Sequence, residues 1–180
     1  MMALHKSAAL GHDNETRFAV LMHDLGKATT PEDILPSHHG HEARGKKLVA
    51  SFCKQWRVPK AHRDLALITT EFHTLVHRAL ELRPATLLKL LTGADCLRKP
   101  ERFQKMLDAC LADARGRKNF TDTPYPQADF LARLAARLGN LDLTEIQQRG
   151  LSGKELGQAI ENARLNFIKQ EKALAHPPQG

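Results

Sequence analysis

Apolar residues recur at three- and four-residue spacing along almost the whole chain, and that period predicts an all-α fold. Phe18, Leu21, Met22 and Leu25 form one such stripe, and Leu48, Val49, Phe52 and Trp56 form the next. Alternating, strand-like runs are missing. Val58-Pro59 breaks the pattern before a helix carrying Leu65, Ile68, Phe72 and Leu75. Arg83-Pro84 opens another with Leu87, Leu88, Leu90 and Leu91, and Lys99-Pro100 starts a fifth, since proline suits a first helical turn and breaks a helix interior.

The stretch from Gly116 to Pro126 is rich in turn formers and holds two further prolines, Pro124 and Pro126, so it reads as a loop. The expected organisation is a bundle over 1–115, a loop over 116–126 and a C-terminal helical tail over 127–180. Within the tail, helices are expected from Gln127 to Leu138 and from Gly153 to Lys172, the second opened by a Ser152/Glu155 capping box. Pro177-Pro178 should end the ordered chain. A length of 180 residues allows one domain with a core that needs no disulfide.

Cys53, Cys96 and Cys110 are odd in number and lack a C-x-x-C spacing, which predicts reduced core thiols in a cytoplasmic protein. No apolar run is long enough for a bilayer and none resembles a signal peptide, so no membrane partner is expected. The formal charge of +7 favours anionic partners, nucleic acid among them, without deciding the matter.

The chemistry gathers in the first half. Nine of the ten histidines precede residue 80, and the doublet His23-Asp24 can place an imidazole nitrogen and a carboxylate oxygen on one cation. A turn at Gly26-Lys27 would leave both at a helix end facing an interhelical cavity. An isolated His-Asp pair is ordinarily a surface feature; the later histidines argue otherwise. His41 falls in the first turn of a helix and can point inward, with Gly45 allowing close packing, whereas His38 and His39 fall in the preceding loop, where a phosphate-binding role competes with ligation or plain solvation. His73 and His77 are four apart on one face, with His73 the inward candidate. Asp95 lies in an apolar stretch where an unpaired charge is costly; either a metal or a salt bridge to Arg98 or Arg102 would resolve that.

The expected metal ligands are therefore His23, Asp24, His41, His73 and Asp95. A phosphate loop, a Gly-x-Ser-x-Gly elbow and a zinc-protease pattern are all missing. Hydrolysis by cation-activated water needs only the residues present, with His23, Asp24 and Lys27 as catalytic candidates and His38 or His39 near the phosphoryl oxygens. Arg115, Arg117 and Lys118 on the loop, and Lys154 near a helix start, are candidate phosphate contacts, against the ordinary alternative of a solvated basic face.

At these residues the chain resembles the HD-domain phosphohydrolases, whose motif pairs an upstream His with an adjacent His-Asp and a distant Asp; His23, Asp24 and Asp95 match. More closely, His-Asp-Leu-Gly-Lys at 23–27, His-His-Gly-His at 38–41, Glu-Phe-His at 71–73, Arg-Lys-Pro at 98–100 and Ala-Asp-Ala-Arg-Gly-Arg at 112–117 are similar to the C-terminal half of bacterial multifunctional CCA-adding enzymes. That resemblance implies 2',3'-cyclic phosphodiesterase, 2'-nucleotidase and phosphatase activities. It also implies a divalent transition metal, nickel before manganese or cobalt, and tRNA or its 3' end and small phosphate esters as partners. The nucleotidyltransferase head of those enzymes is absent, so CCA addition is not expected. The upstream His, expected about 24 residues before His23, falls ahead of Met1, and His5 is a poor substitute. The chain is thus expected to be a C-terminal fragment. Two other functions compete: a catalytically weak tRNA-binding arm, and an HD hydrolase of free nucleotides.

Overall fold

The computed structural model describes residues 2–175, and they form helices and loops with no strand among them. Pro177 and Pro178 lie outside the described residues. The helices are α1 (Met2–Ala9), α2 (Asn14–Met22), α3 (His41–Gln55), α4 (Lys60–His77), α5 (Pro84–Gly93), α6 (Pro100–Arg115), α7 (Pro126–Gly139), α8 (Thr144–Gln147) and α9 (Gly153–Ala175). Short 3-10 turns cover Leu25–Thr29 and Glu32–Ile34.

Local chemistry sets the starts. Asp13 caps α2 by accepting from the Thr16 N–H at 2.8 Å, while Pro84, Pro100 and Pro126 each sit in a first helical turn, where a missing N–H costs nothing. Helix α9 starts where the Ser152/Glu155 pattern puts it: the Ser152 carbonyl accepts from the Leu156 N–H at 3.5 Å, and the chain enters through Gly153 at φ 54°, a left-handed conformation that glycine adopts without strain. Two apolar positions fall outside the core. Leu21 is 53% exposed because the buried face of α2 runs through Thr16, Ala19, Val20 and Met22, and Trp56 is 66% exposed because it falls on the cap of α3, where its ring rests beside Phe52.

Helix α4 is the axis of the bundle and touches α2, α3, α5, α6 and α7. Its buried face, Leu65, Ala66, Ile68, Thr69, Phe72, His73 and Val76, follows the helical period. Leu87, Leu90, Leu91, Met106, Leu107 and Leu131 complete a core of fully buried side chains, each adding about 1.5–3 kcal/mol by leaving water. Helix α9 returns across α5 and α7, with Ile168 fully buried. All three cysteines are free and buried. No helix among the described residues is long and apolar enough to cross a membrane.

Candidate metal centre

The end of α2 delivers two adjacent side chains into the seam between α2, α3, α4 and α6. The helix closes at His23, and Asp24 leaves it at φ −104° before the chain tightens into the 3-10 turn. That turn lies against α3 through Gly26, where a Cβ would come within 2.0 Å of the His41 carbonyl oxygen and 2.5 Å of the Gly45 nitrogen. Only glycine permits so close an approach. Gly45 does the same service toward α4, since a Cβ there would meet the Thr70 methyl at 2.7 Å.

Three imidazoles converge here in the same way. Each is anchored by Nδ1–H donating to a backbone carbonyl: His23 to Val20 at 2.7 Å, His41 to His38 at 2.9 Å, and His73 to Thr70 at 3.1 Å. These acceptors leave each Nε2 turned toward the Asp24 carboxylate, free to offer a lone pair to a cation when it carries no proton. His23 Nε2 is 3.2 Å from Asp24 Oδ2, while His41 and His73 Nε2 are both 3.4 Å from Oδ1. Ligand atoms of His23, Asp24 and His73 all lie within 4.8 Å of one another.

A fourth element closes the cluster from α6. Asp113 Oδ1 is 3.5 Å from His23 Nε2. Its Oδ2 accepts from His77 Nε2–H at 3.0 Å, and His77 Nδ1 in turn accepts from the Tyr125 hydroxyl at 2.7 Å. Asp113 is therefore fixed by a relay that starts at Tyr125, on the N-terminal cap of α7. Burial pulls the His23 pKa down, but the Asp113 and Asp24 carboxylates outweigh it and raise it to about 10. Burial would raise both carboxyls; the surrounding imidazoles instead hold Asp24 and Asp113 well below the usual range, helped at Asp24 by Lys27. Burial lowers His41.

Of the residues expected at the site, the structure brings together His23, Asp24, His41 and His73, and it puts Lys27 beside them, its Nζ donating to Asp24 Oδ2 at 2.7 Å. Asp95 is the correction. Helix α5 ends at Gly93, Asp95 turns into the left-handed region at φ 58°, and its carboxylate is taken by Arg98 at 2.7 Å and approached by Arg102 at 3.8 Å. The second carboxylate that meets His23, after Asp24, is Asp113. It was missed although Met106, Ala109, Cys110 and Asp113 share one stripe of α6, whose other members are buried; a carboxylate in register with a core stripe was the available signal. His38 rests on Thr30 at 2.7 Å and His39 is exposed. Arg115 donates to the Thr123 carbonyl at 3.1 Å, Arg117 reaches Asp113 at 3.4 Å, and Lys118 and Lys154 are exposed.

A cation fits this donor set. With Nδ1–H committed on both rings, the Nε2 atoms of His41 and His73 face each other at 3.1 Å, which brings two lone pairs together unless a proton or a cation intervenes. His23 Nε2 and Asp24 Oδ1 are buried, and neither makes a hydrogen bond among the described residues. Such orphans are costly in a folded interior and are expected where a ligand belongs. Imidazole donors whose other nitrogen is held by a carbonyl, mixed with carboxylates, form the kind of shell that takes a divalent transition metal.

The fold and this cluster define an all-helical, divalent-cation site of a type suited to hydrolysing phosphate esters. The HD domain model matches residues 1–113, closing on Asp113, and the chain belongs to the HD-domain family, a superfamily of metal-dependent phosphohydrolases. Among curated proteins it is 51% identical over 173 residues to the multifunctional CCA protein of Thioalkalivibrio sulfidiphilus, covering 96% of this chain and 42% of that protein. It is 44% identical over 172 residues to that of Hahella chejuensis, covering 96% and 41%, and 58% identical over 139 residues to that of Chromobacterium violaceum, covering 77% and 34%. The chain thus spans less than half the length of these relatives. No solved structure gives a significant match.

Proposed function

We propose that this metal-dependent phosphohydrolase acts on 2',3'-cyclic and 2' phosphates, with phosphatase activity on small esters, and that tRNA or its 3' end is the polymer carrying them. In this reading residues 1–115 are the hydrolase domain, 116–126 a loop and 127–180 a tail, working in the reducing cytoplasm that three free cysteines suit. The observation that carries the chemistry is the facing pair of Nε2 atoms beside the orphaned Asp24 Oδ1.

His23, Asp24 and His73 would hold the cation, with His41 and Asp113 at its margin; nickel suits the imidazole-rich set, and manganese and cobalt are its competitors. Bound there, a divalent cation supplies Lewis-acid charge neutralisation and acidifies water. Asp24 Oδ1, which makes no hydrogen bond among the described residues, would orient the attacking water. Lys27, 40% exposed and one ion pair away from the cluster, swings its ammonium onto a phosphoryl oxygen when substrate arrives. The Val20, His38 and Thr70 carbonyls keep the three rings from turning, so the donors are in place before substrate binds.

The test is hydrolysis of 2',3'-cyclic AMP by chain loaded with nickel, alongside elemental analysis of chain purified without chelator. Asp24→Ala should lower turnover by at least ~100-fold with circular dichroism unchanged. Full activity in that variant would remove Asp24 from the chemistry. Hydrolysis of a deoxynucleoside triphosphate in preference would send the site to free nucleotides, and absence of both metal and turnover would favour an RNA-binding arm built on Arg115, Arg117 and Lys118.

A further inference from the structure

His77 takes no part in holding the cation, yet both of its ring nitrogens are engaged. It ends α4 one turn beyond His73 and lies between two rings, edge-on to His73 at a centroid distance of 6.1 Å and to Tyr125 at 5.7 Å. Its Nε2 meets Asp113 Oδ2 at 3.0 Å and its Nδ1 meets the Tyr125 hydroxyl at 2.7 Å. An ionised carboxylate only accepts, so Nε2 carries the proton it donates, and the neutral ring then leaves Nδ1 as an acceptor for the hydroxyl. Burial pushes the Tyr125 pKa up, so the hydroxyl keeps the proton it gives. The His77 and Asp113 side chains are 19% and 14% exposed, which leaves little room for water to stand in for either partner.

We infer that Tyr125 is a positioning residue for the cation site: its hydroxyl keeps the His77 proton on Nε2, and that N–H holds Asp113 Oδ2 so that Oδ1 faces His23 and the cation. This role rests on the cation reading of the cluster. Only one tautomer serves it. With the proton on Nδ1, the bare Nε2 would oppose the Asp113 carboxylate, two acceptors in contact, and the carboxylate would turn away. Arg117 also reaches Oδ2, at 3.4 Å, but its side chain is 64% exposed and the bond is long, so water competes with it and His77 is the fixed donor. Asp113 Oδ1 stands 3.5 Å from His23 Nε2, so a turn of this carboxylate moves an oxygen that faces the cation. Outer partners of this kind are commonly worth roughly 10- to 100-fold in metal affinity. Tyr125 caps α7, outside the 1–115 hydrolase segment, so the cation centre is completed by the residue that opens the tail.

Calorimetric titration of nickel into the full chain tests this, with Tyr125→Phe, His77→Leu and His77→Gln beside the parent. Tyr125→Phe keeps the ring and should weaken nickel by roughly 10-fold. His77→Leu should do at least as much harm, whereas His77→Gln, which can still offer an N–H to Asp113, should recover most of the loss. Equal damage from Leu and Gln overturns the inference, because lost packing alone predicts it. The effect must also run through Asp113: Tyr125→Phe added to Asp113→Asn should cost less than about twofold more, and a full further tenfold overturns the role. Nitrogen-15 shifts of the His77 ring, recorded on metal-free chain at about pH 8, give a readout without cation or turnover. The parent should carry a proton on Nε2 alone, with the Nδ1–H form appearing in Tyr125→Phe; a proton on Nδ1 in the parent overturns the inference. Equal nickel affinity in parent and variants removes the positioning role and leaves the cation reading standing, while a parent that binds no nickel ends the cation reading and this role with it.

Discussion

Asp24 and Asp113 carry the same functional group as Asp95 and end in opposite circumstances. The first two sit where several elements meet, each facing imidazoles from other helices, and Asp24 has an oxygen with no hydrogen bond among the described residues. Asp95 serves its own turn: its partners Arg98 and Arg102 come from the next few residues, and Arg98 is 84% exposed at its side chain. A carboxylate gathers imidazoles when partners far apart in sequence surround it, and forms an ordinary ion pair when a cation is available three residues on.

The sharpest way to break that contrast is to move the elements that create it. Gly26→Ala should destabilise the chain by about 4 kcal/mol or more, because the new Cβ would meet backbone atoms of His41 and Gly45, which cannot step aside as a flexible side chain could. Thermal unfolding measures it, and a loss below about 1 kcal/mol would show that the seam between the 3-10 turn and α3 is loose. Asp113→Asn keeps the shape and removes the charge. Cation affinity, titrated with nickel by calorimetry, should fall by roughly 10- to 100-fold, and unchanged affinity would mean that Asp113 only positions His77.

The helical class, most helix starts and the candidates His23, Asp24, His41 and His73 that the structure brings together can be seen in the sequence because they depend on local chemistry: a proline in a first turn, a three-to-four period, a His-Asp doublet at a helix end. What stays hidden depends on distance. Asp113 reaches His23 across α6, 90 residues along the chain, and only its register with Met106, Ala109 and Cys110 hints at it. Asp95 misleads because its neighbours Leu90, Leu91 and Cys96 are buried, which suggests an interior helix, whereas α5 has already ended at Gly93 and the carboxylate turns outward.

Asp13 is the intermediate case and sharpens the contrast through pH. It caps α2 through the Thr16 N–H and pairs with Lys105 of α6 at 2.7 Å, yet is 47% exposed. Slight burial would raise its pKa, but Lys105 and the cap bonds win and lower it to about 2. A depressed carboxyl contributes stability that is full above its unfolded value near 4 and is lost as pH falls toward 2. Asp13→Asn keeps an acceptor for the cap, so at neutral pH it should cost less than about 1 kcal/mol, the pair being partly in water. Melting curves from pH 5 to pH 2 should bring parent and variant together as Asp13 protonates; a constant gap would place the stabilisation elsewhere.

The smallest effect belongs to Asp95. Its pKa is lowered, chiefly by the Arg98 hydrogen bonds, but those bonds lie at the surface and solvent screens them. Among the described residues it shares no partner with His23, Asp24, His41 or His73. Asp95→Asn should therefore leave nickel affinity and cyclic AMP turnover within about twofold of the parent, as expected for a change that touches no group in the cluster. The same titration applied to Asp113→Asn provides the scale. A tenfold loss of affinity in Asp95→Asn would mean that the cluster draws on α5 after all, and the division between carboxylates that gather distant imidazoles and those that serve their own turn would fail.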